Sequence, residues 1–346
     1  MHKVIEFSSI LDKLVRREDL NGNEAESALQ RIISGEVPNE QVAAFLTAMR
    51  TKGETTAELT AFVRVMRDAA VKPEVDVDGA VDLCGTGGDS SGTFNISTAS
   101  MFVVAGAEVP VLKHGNRSVS SKSGSADVLE ELGAVIDLDK RQVERVFEEA
   151  GLVFMFAPNF HPAMKHVMPA RRTMGIRTFF NILGPLLNPA GVKRQMIGAY
   201  SRAVAREIAH ILANLDTEFA YTVNAHDGLD EVSLAAQSEI YELNHNMVKE
   251  STTFDPRSLD FEWTDLESLQ GGDAKYNANI IRSILDNNST QAQRDVILLN
   301  ATFGIHASGK VDHLTEARKL AVESLKSGKA KEALNKYVEA SNDIAK

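Results

Sequence analysis

Cysteine occurs once in 346 residues, at Cys84. An intrachain disulfide and a metal site built from several cysteines are thereby excluded. Cys84 has no adjacent activating partner, so a small buried packing role is expected rather than a reactive thiol. The chain also lacks an apolar run long enough to span a bilayer. Its opening stretch, MHKVIEFSSILDKLVRRED, interleaves charges with apolar positions and has no signal-peptide centre, so a cytoplasmic location is expected. A basic excess is missing too. With 37 Lys and Arg against 48 Asp and Glu, the net charge is −11, the wrong sign for a surface that binds nucleic acid.

What is present is apolar content of 43%, enough in a chain of this length to bury a large core in one large or two medium domains. The first seventy residues read as helices. Ile5, Ile10, Leu11, Leu14 and Val15 suit one helix, and EAESALQRII forms a second that ends at Gly35. Asn39 is the expected N-cap of QVAAFLTAMR, which stops near Gly53, and TTAELTAFVRVMRDAA repeats the pattern. VKPEVDVDG, with Pro73 and Gly79, reads as a connector. Beyond it apolar runs (AVDLC, VPVL, LVFMFA, QMIGAY, EFAYTVNA) alternate with helical stretches. That rhythm predicts an α/β fold: a mainly parallel central sheet with helices on both faces. SEIYELNHNMVKESTTF alternates like an antiparallel strand pair, and from about Tyr276 the chain is helical. The expected organisation is a helical domain over residues 1–72, with part of 160–190 packing on it, and an α/β domain over 73–346.

Four motifs carry the chemistry. DLCGTGGDSSGTFNIST places glycines at a strand-to-helix junction, where backbone N–H groups can approach an anion closely. Its spacing is neither GxGxxG nor a Walker loop. KHGNRSVSSKSGSAD crowds Lys113, His114, Asn116 and Arg117 at the end of a second strand, with Ser123 or Ser125 expected to cap the helix that follows. Loops from neighbouring parallel strands meet at their carboxyl ends, so the pair suits a highly phosphorylated ligand. The third motif, HPAMKHVMPARRTMGIRTFFNILGPLLNP, is interrupted by prolines and offers Arg171, Arg172 and Arg177 to an anion, with His161 as a further lining candidate. In the fourth, HDGLDEVSL, Asp230 and Glu231 follow a strand-like run and are candidate Mg²⁺ ligands, while Asp227 and His226 have no assigned part. The −11 charge requires the anion site to be a local basic patch of these Lys, His and Arg residues plus metal.

These motifs, in this order, resemble the anthranilate phosphoribosyltransferase family over nearly the whole chain. The resemblance implies a fold of the nucleoside phosphorylase and phosphoribosyltransferase type and a homodimer with no nucleic-acid or membrane partner. It further implies Mg²⁺-dependent transfer of phosphoribosyl from phosphoribosyl pyrophosphate to the amine of anthranilate, in tryptophan biosynthesis. Donor binding is implied for Gly85, Gly88, Asp89, Thr93, Asn95, Ile96, Ser97 and Thr98, and for Lys113, His114, Gly115, Asn116, Arg117, Ser118, Val119, Ser120, Ser121 and Ser125. Gly85, Asn116 and Arg171 fall at anthranilate-contacting positions, and Ser97, Asp230 and Glu231 at the ligands of two Mg²⁺ ions per subunit. The family commonly has another glycine where this chain has Ser90 and Ser91, which bears on loop flexibility and phosphate affinity. ILDNNSTQAQRD replaces a more glycine-rich turn, with no expected functional effect.

The acceptor is a neutral aromatic amine, so attack needs no strong general base, and no His–carboxylate pair announces one. Catalysis by positioning and electrostatics is expected. Rival readings fit less well. Pyrimidine nucleoside phosphorylases set Lys-His-Ser next to their glycine segment, whereas KHG here lies well after GTGGD and precedes Asn116 and Arg117. A nucleic-acid-binding relative without activity would lose the acidic pair and gain a basic surface. A scaffold role would leave the loop motifs without purpose.

Overall fold

The computed structural model describes residues 6–118 and 122–346. The chain opens with four helices: α1 (Phe7–Val15), α2 (Gly22–Ile33), α3 (Asn39–Lys52) and α4 (Thr56–Asp68). Reciprocal capping fixes the starts of two of them. The Asn21 side chain accepts from Glu24 N–H while the Glu24 carboxylate accepts from Asn21 N–H, and Thr55 and Glu58 repeat the arrangement. Asn39 does not cap α3. It is the first helical residue, because Pro38, held at φ −61 with extended ψ, occupies the N-cap position one residue earlier. Buried Glu58 also accepts from Leu20 N–H at 2.8 Å and from the Lys52 ammonium at 2.9 Å, tying three segments of the bundle together.

After the connector come β1 (Val81–Gly85), α5 (Ile96–Gly106), β2 (Val111–Gly115), α6 (Ser125–Glu131), α7 (Lys140–Ala150) and β3 (Leu152–Phe156). The proline-rich crossing is more regular than expected: it holds the short helices α8 (Ala157–Phe160), α9 (Met168–Met174) and α10 (Phe180–Leu183) and 3₁₀ turns between and after them. Pro158 and Pro169 sit in the first turns of α8 and α9, where a missing N–H costs nothing. Then follow β4 (Arg194–Gly198), α11 (Arg202–Ala213), β5 (Phe219–Ala225), β6 (Ser238–Asn244), β7 (Met247–Val248) and β8 (Thr252–Phe254). The chain closes with α12 (Ala274–Leu285), α13 (Gln291–Ala307), α14 (Leu314–Lys326) and α15 (Lys329–Ala345).

The strands form one sheet in the order β3-β2-β1-β4-β5-β6-β7, with β8 also on β6. The first five positions in that order are parallel, and β6 with its partners β7 and β8 is the antiparallel addition. From β1 the chain winds outward through β2 and β3, then returns to lay β4 on β1's other edge, pairing Gly85 with Gly198. The strand order therefore reverses between β1 and β4, and ligands of open α/β sheets bind outside the carboxyl ends at such a point.

Apolar strands demand cover on both faces. One face packs against α5, α7, α13 and α15, with Leu83, Phe102, Phe154, Phe303 and Tyr337 in its core. The other packs on α11, which in turn meets α4, and this core continues into the helical bundle through Phe45, Phe62 and Ile208. The crossing segment joins it: the Phe179 ring stacks on Phe62 at 4.6 Å and meets Phe45 edge-on at 6.3 Å. Among the described residues no helix is long and apolar enough to cross a membrane.

Candidate active site

The acidic turn lies at the reversal point. Leaving β5, the chain turns through Gly228 at φ 93, and Asp227 shapes the turn, accepting from Leu229 N–H at 3.2 Å and from the Ser233 hydroxyl at 2.7 Å. Asp230 and Glu231 are thereby carried back over the ends of β1 and β4. The approach is close enough that a Cβ on Gly85 would sit 2.7 Å from Asp230 Oδ2, and one on Gly198 would overlap the Asp230 carbonyl. Glycine is required at 198 by this backbone contact alone, whereas a side chain at 85 would push the Asp230 carboxylate out of place. Asp230 Oδ2 accepts from Gly87 N–H at 2.8 Å, and Glu231 Oε1 accepts from Ser97 N–H at 3.0 Å, at the start of α5. Burial, with the neighbouring Asp89 charge next in size, lifts Asp230 to about 7. Burial and then Asp230 itself lift Glu231 to about 8, against the pull of Lys113. Paired carboxyls that burial and mutual repulsion hold toward the protonated form present hard oxygens that fit a divalent cation. Among the described residues no three His, Cys, Asp or Glu side chains form a closed metal cage.

The glycine loop between β1 and α5 turns through Gly87, Gly88 and Gly92 at φ 64, 75 and 70. Ser90 takes φ 62 in the same loop. A side chain in the left-handed region costs about 1 kcal/mol or more, so Ser90 is a point of local backbone strain in this loop. The segment after β8 lies along the loop: Phe94 N–H donates to Leu269 C=O at 3.1 Å, Gly271 N–H donates to Gly92 C=O at 2.8 Å, and Thr93 forms a bridge with Gln270. Asn95 stands at the N-cap of α5 without capping it, while Ile96, Ser97 and Thr98 form the helix's first turn.

The second loop departs from the expected basic patch. Lys113 is buried, and its ammonium donates to the Leu83 carbonyl and to Ser97 Oγ at 3.4 Å. His114 is buried and pulled down to about 3, first by burial and then by His161 and Lys113, so it carries no charge at neutral pH. Arg117 is taken by α6, with both terminal nitrogens on Glu130 at 2.5 and 2.7 Å and one on Asp127 at 2.9 Å. Neither Ser123 nor Ser125 caps α6. Gly124 holds that place, its N–H bonded to Asp127, because a Cβ there would strike the backbone of Ser118. Ser125 Oγ instead donates to Asn116 C=O at 3.3 Å, and Asn116 Oδ1 accepts from Arg117 N–H at 2.7 Å. Gly115 ends β2 against Phe154, and Ser118 N–H donates to Asp127. Val119, Ser120 and Ser121 lie outside the described residues.

Positive charge comes instead from the crossing segment. Arg171, on α9, packs its guanidinium over Phe180 at 5.2 Å and makes no ion pair among the described residues. Arg177 donates to Gly88 C=O at 2.7 Å and lies over Tyr200, reaching the glycine loop directly, whereas Arg172 points to solvent. His161 Nε2 bonds to Leu187 C=O at 2.9 Å and its ring meets His114 edge-on at 5.2 Å. Among the described residues, buried His114 Nε2 and His161 Nδ1 find no hydrogen-bond partner. Cys84 is buried as expected, its thiol near the Pro185 carbonyl at 3.9 Å and raised well above its ordinary range by burial.

Three supporting residues escape motif reading. Asp82, fully buried and raised by burial to about 6, accepts from Asn188 Nδ2 at 2.8 Å and from His114 N–H at 3.3 Å beneath the loops. Asn300 brackets Val232 by bonding both its N–H and its C=O at 3.0 Å, which fixes the backbone next to Glu231. Asn277 reaches Asn95 from α12. The available signal was a lone amide or acid inside an apolar stretch (VDLC, LLNATF), since a buried polar group needs a specific partner.

Residues 8–70 match the helical bundle domain, and residues 77–331 the a/b domain, of the glycosyl transferase family. The anthranilate phosphoribosyltransferase of Salinibacter ruber is 47% identical over 340 residues, 97% of this chain and 99% of that protein. The crystal structure of anthranilate phosphoribosyltransferase from Thermus thermophilus superposes with a TM-score of 0.89 at 36% identity, covering 96% of this chain and 99% of that one. The Saccharomyces cerevisiae enzyme in complex with PRPP and Mg gives 0.88 at 26% identity, covering 97% and 98%.

Proposed function

The chain belongs to the anthranilate phosphoribosyltransferase family, and from that premise we propose how its site divides the work. The reaction breaks the bond between ribose C1 and the pyrophosphate oxygen of phosphoribosyl pyrophosphate and joins C1 to the anthranilate nitrogen. Pyrophosphate departs and the new ammonium loses a proton to solvent. The observation that carries the reading is the Asp230–Glu231 turn lying across the ends of β1 and β4, bonded to the glycine loop and to the first turn of α5.

In this reading the glycine loop from Gly85 to Thr93, the first turn of α5 and the loop after Lys113 hold the donor. Asp230, Glu231 and the Ser97 hydroxyl hold Mg²⁺, two ions per subunit. Bound there, Mg²⁺ would supply charge neutralisation for a pyrophosphate leaving group. Arg171 binds the acceptor's carboxylate in a bidentate fork, with Asn116 orienting the ring, and Arg177 steadies the glycine loop. Lys113, held under Ser97, offsets the acidic pair from below. No side chain acts as acid or base; C1 and the amine react because they are held together. The active form is a cytoplasmic homodimer.

The test follows the fluorescence of anthranilate with the purified protein, phosphoribosyl pyrophosphate and Mg²⁺, omitting each in turn. Loss that needs all three, with equimolar pyrophosphate, is expected; no loss from folded protein overturns the reading. In the same assay Arg171→Ala should raise the anthranilate KM roughly 30-fold or more, the cost of stranding one member of a desolvated charge pair, and move the donor KM far less. Equal effects on both substrates would remove Arg171 from the acceptor site.

A pH dependence follows from the acidic pair. Both carboxyls titrate higher in the fold, at about 7 and about 8, than the ordinary carboxylate range, so the folded chain binds more protons than the unfolded chain between pH 4 and 8. Stability of the metal-free protein is then lost as pH rises through that window. Mg²⁺ should restore it, raising Tm more at pH 8 than at pH 5.5. A shift independent of pH would place the cation elsewhere.

A further inference from the structure

Asn277 lies far in sequence from every motif, yet its side chain is buried and bonded at both its oxygen and its nitrogen. Its Oδ1 accepts from Gly272 N–H at 2.7 Å, which fixes the orientation of the amide, and its Nδ2 donates to Asn95 Oδ1 at 2.9 Å. Asn95 Nδ2 donates in turn to the Ser123 carbonyl at 3.2 Å. The relay runs from a backbone donor to a backbone acceptor, so each amide has one permitted orientation. It crosses from the start of α12, through the start of α5, to Ser123, at the α6 end of the loop between β2 and α6 (the serine loop). Ahead of it, Gln270 Nε2 donates to the Ser91 carbonyl at 2.9 Å and holds the glycine loop from the same side.

We propose that Asn277 is a positioning residue for the donor site, setting the glycine loop and the serine loop in one register through Asn95. The inference rests on the donor-site reading above. Asn95 forgoes the N-cap bond that its place at the head of α5 invites. Among the described residues one amide hydrogen of Asn95 has no partner, and Asn277 sets the direction in which it points. Substrate contact belongs to Asn95 and the loops; Asn277 acts only through them. An aspartate at 277 keeps the shape and still accepts from Gly272, but it sets an oxygen against Asn95 Oδ1. Asn95 must then either bear that repulsion or turn its own oxygen toward the Ser123 carbonyl.

The test compares wild type, Asn277→Asp, Asn277→Ala, Asn95→Ala and the double alanine variant by steady-state kinetics. Calorimetric titration with phosphoribosyl pyrophosphate and Mg²⁺, without anthranilate, accompanies it. Asn277→Asp should raise the donor KM and Kd roughly 10-fold, the loss of about one hydrogen bond plus a repulsion, with the anthranilate KM within about 2-fold. The double variant should be no worse than Asn95→Ala, because the two act in series. Parallel rises in both KM values, an unchanged donor Kd, or multiplied effects in the double variant would overturn the proposal. If Asn277→Ala does not fold, the nearly isosteric Asn277→Asp decides the question. Failure of wild type to bind the donor would sink the donor reading and this inference together, whereas wild-type binding with an indifferent Asn277→Asp sinks this inference alone.

Discussion

Gly198→Ala is expected to lower kcat by roughly 100-fold or more and to destabilise the fold by about 1–3 kcal/mol. The cause is backbone overlap. The added methyl would occupy the place of the Asp230 carbonyl, which no rotamer change can vacate. The acidic turn must lift, and its carboxylates lose their alignment with Gly87 and Ser97. Displacement of a catalytic group by about 1 Å costs on the order of 100-fold in rate. Turnover with saturating donor and Mg²⁺ and thermal unfolding check it, with Gly22→Ala as the control. Gly22 opens α2 with nothing near its missing Cβ, so alanine there should be silent or slightly stabilising. Near-normal turnover in Gly198→Ala would show that the turn need not lie where it does.

Asp230→Asn combined with Glu231→Gln should abolish Mg²⁺-dependent turnover, a loss of roughly 1,000-fold or more, and leave the fold intact. Each replacement keeps an oxygen to accept from Gly87 or Ser97 N–H. Removing two buried charges that repel each other should also make the metal-free protein at least as stable as wild type at pH 8. The Mg²⁺-induced rise in Tm should vanish in the same variant. Activity and Tm therefore move in opposite directions, which no simple unfolding defect produces. Retained activity in magnesium would remove the pair from the metal site.

Periodicity made the helices and the sheet legible because burial imposes it: the apolar strands need cover on both faces and the first helices on one. The glycine loop and the acidic turn were legible for a different reason, since each sits where a strand ends. The charge state of the second loop is not legible in the same way, because a sequence reports side chains at their reference ionisation. Burial neutralises His114, α6 claims Arg117, and Lys113 turns inward. Asn39, Ser123 and Ser125 each lie one residue from the true cap, because Pro38 and Gly124 meet the local steric demand. Asn277 and Asn300 were not found, as their partners lie 182 and 68 residues away.

The crossing segment packs its apolar side on the helical bundle, through Phe179 on Phe62 and Phe45, and carries Arg171 with it. Arg171, the proposed contact to the acceptor's carboxylate, thus belongs to one continuous insert between β3 and β4, while Asn116 and the proposed metal and donor contacts lie on the loops and turns at the strand ends. The molecule is built as a fixed reagent holder with an interchangeable adaptor. Drift in the bundle and its insert can retune which amine is accepted, or hand the scaffold a new nucleophile, while the machinery that activates the sugar is inherited unchanged.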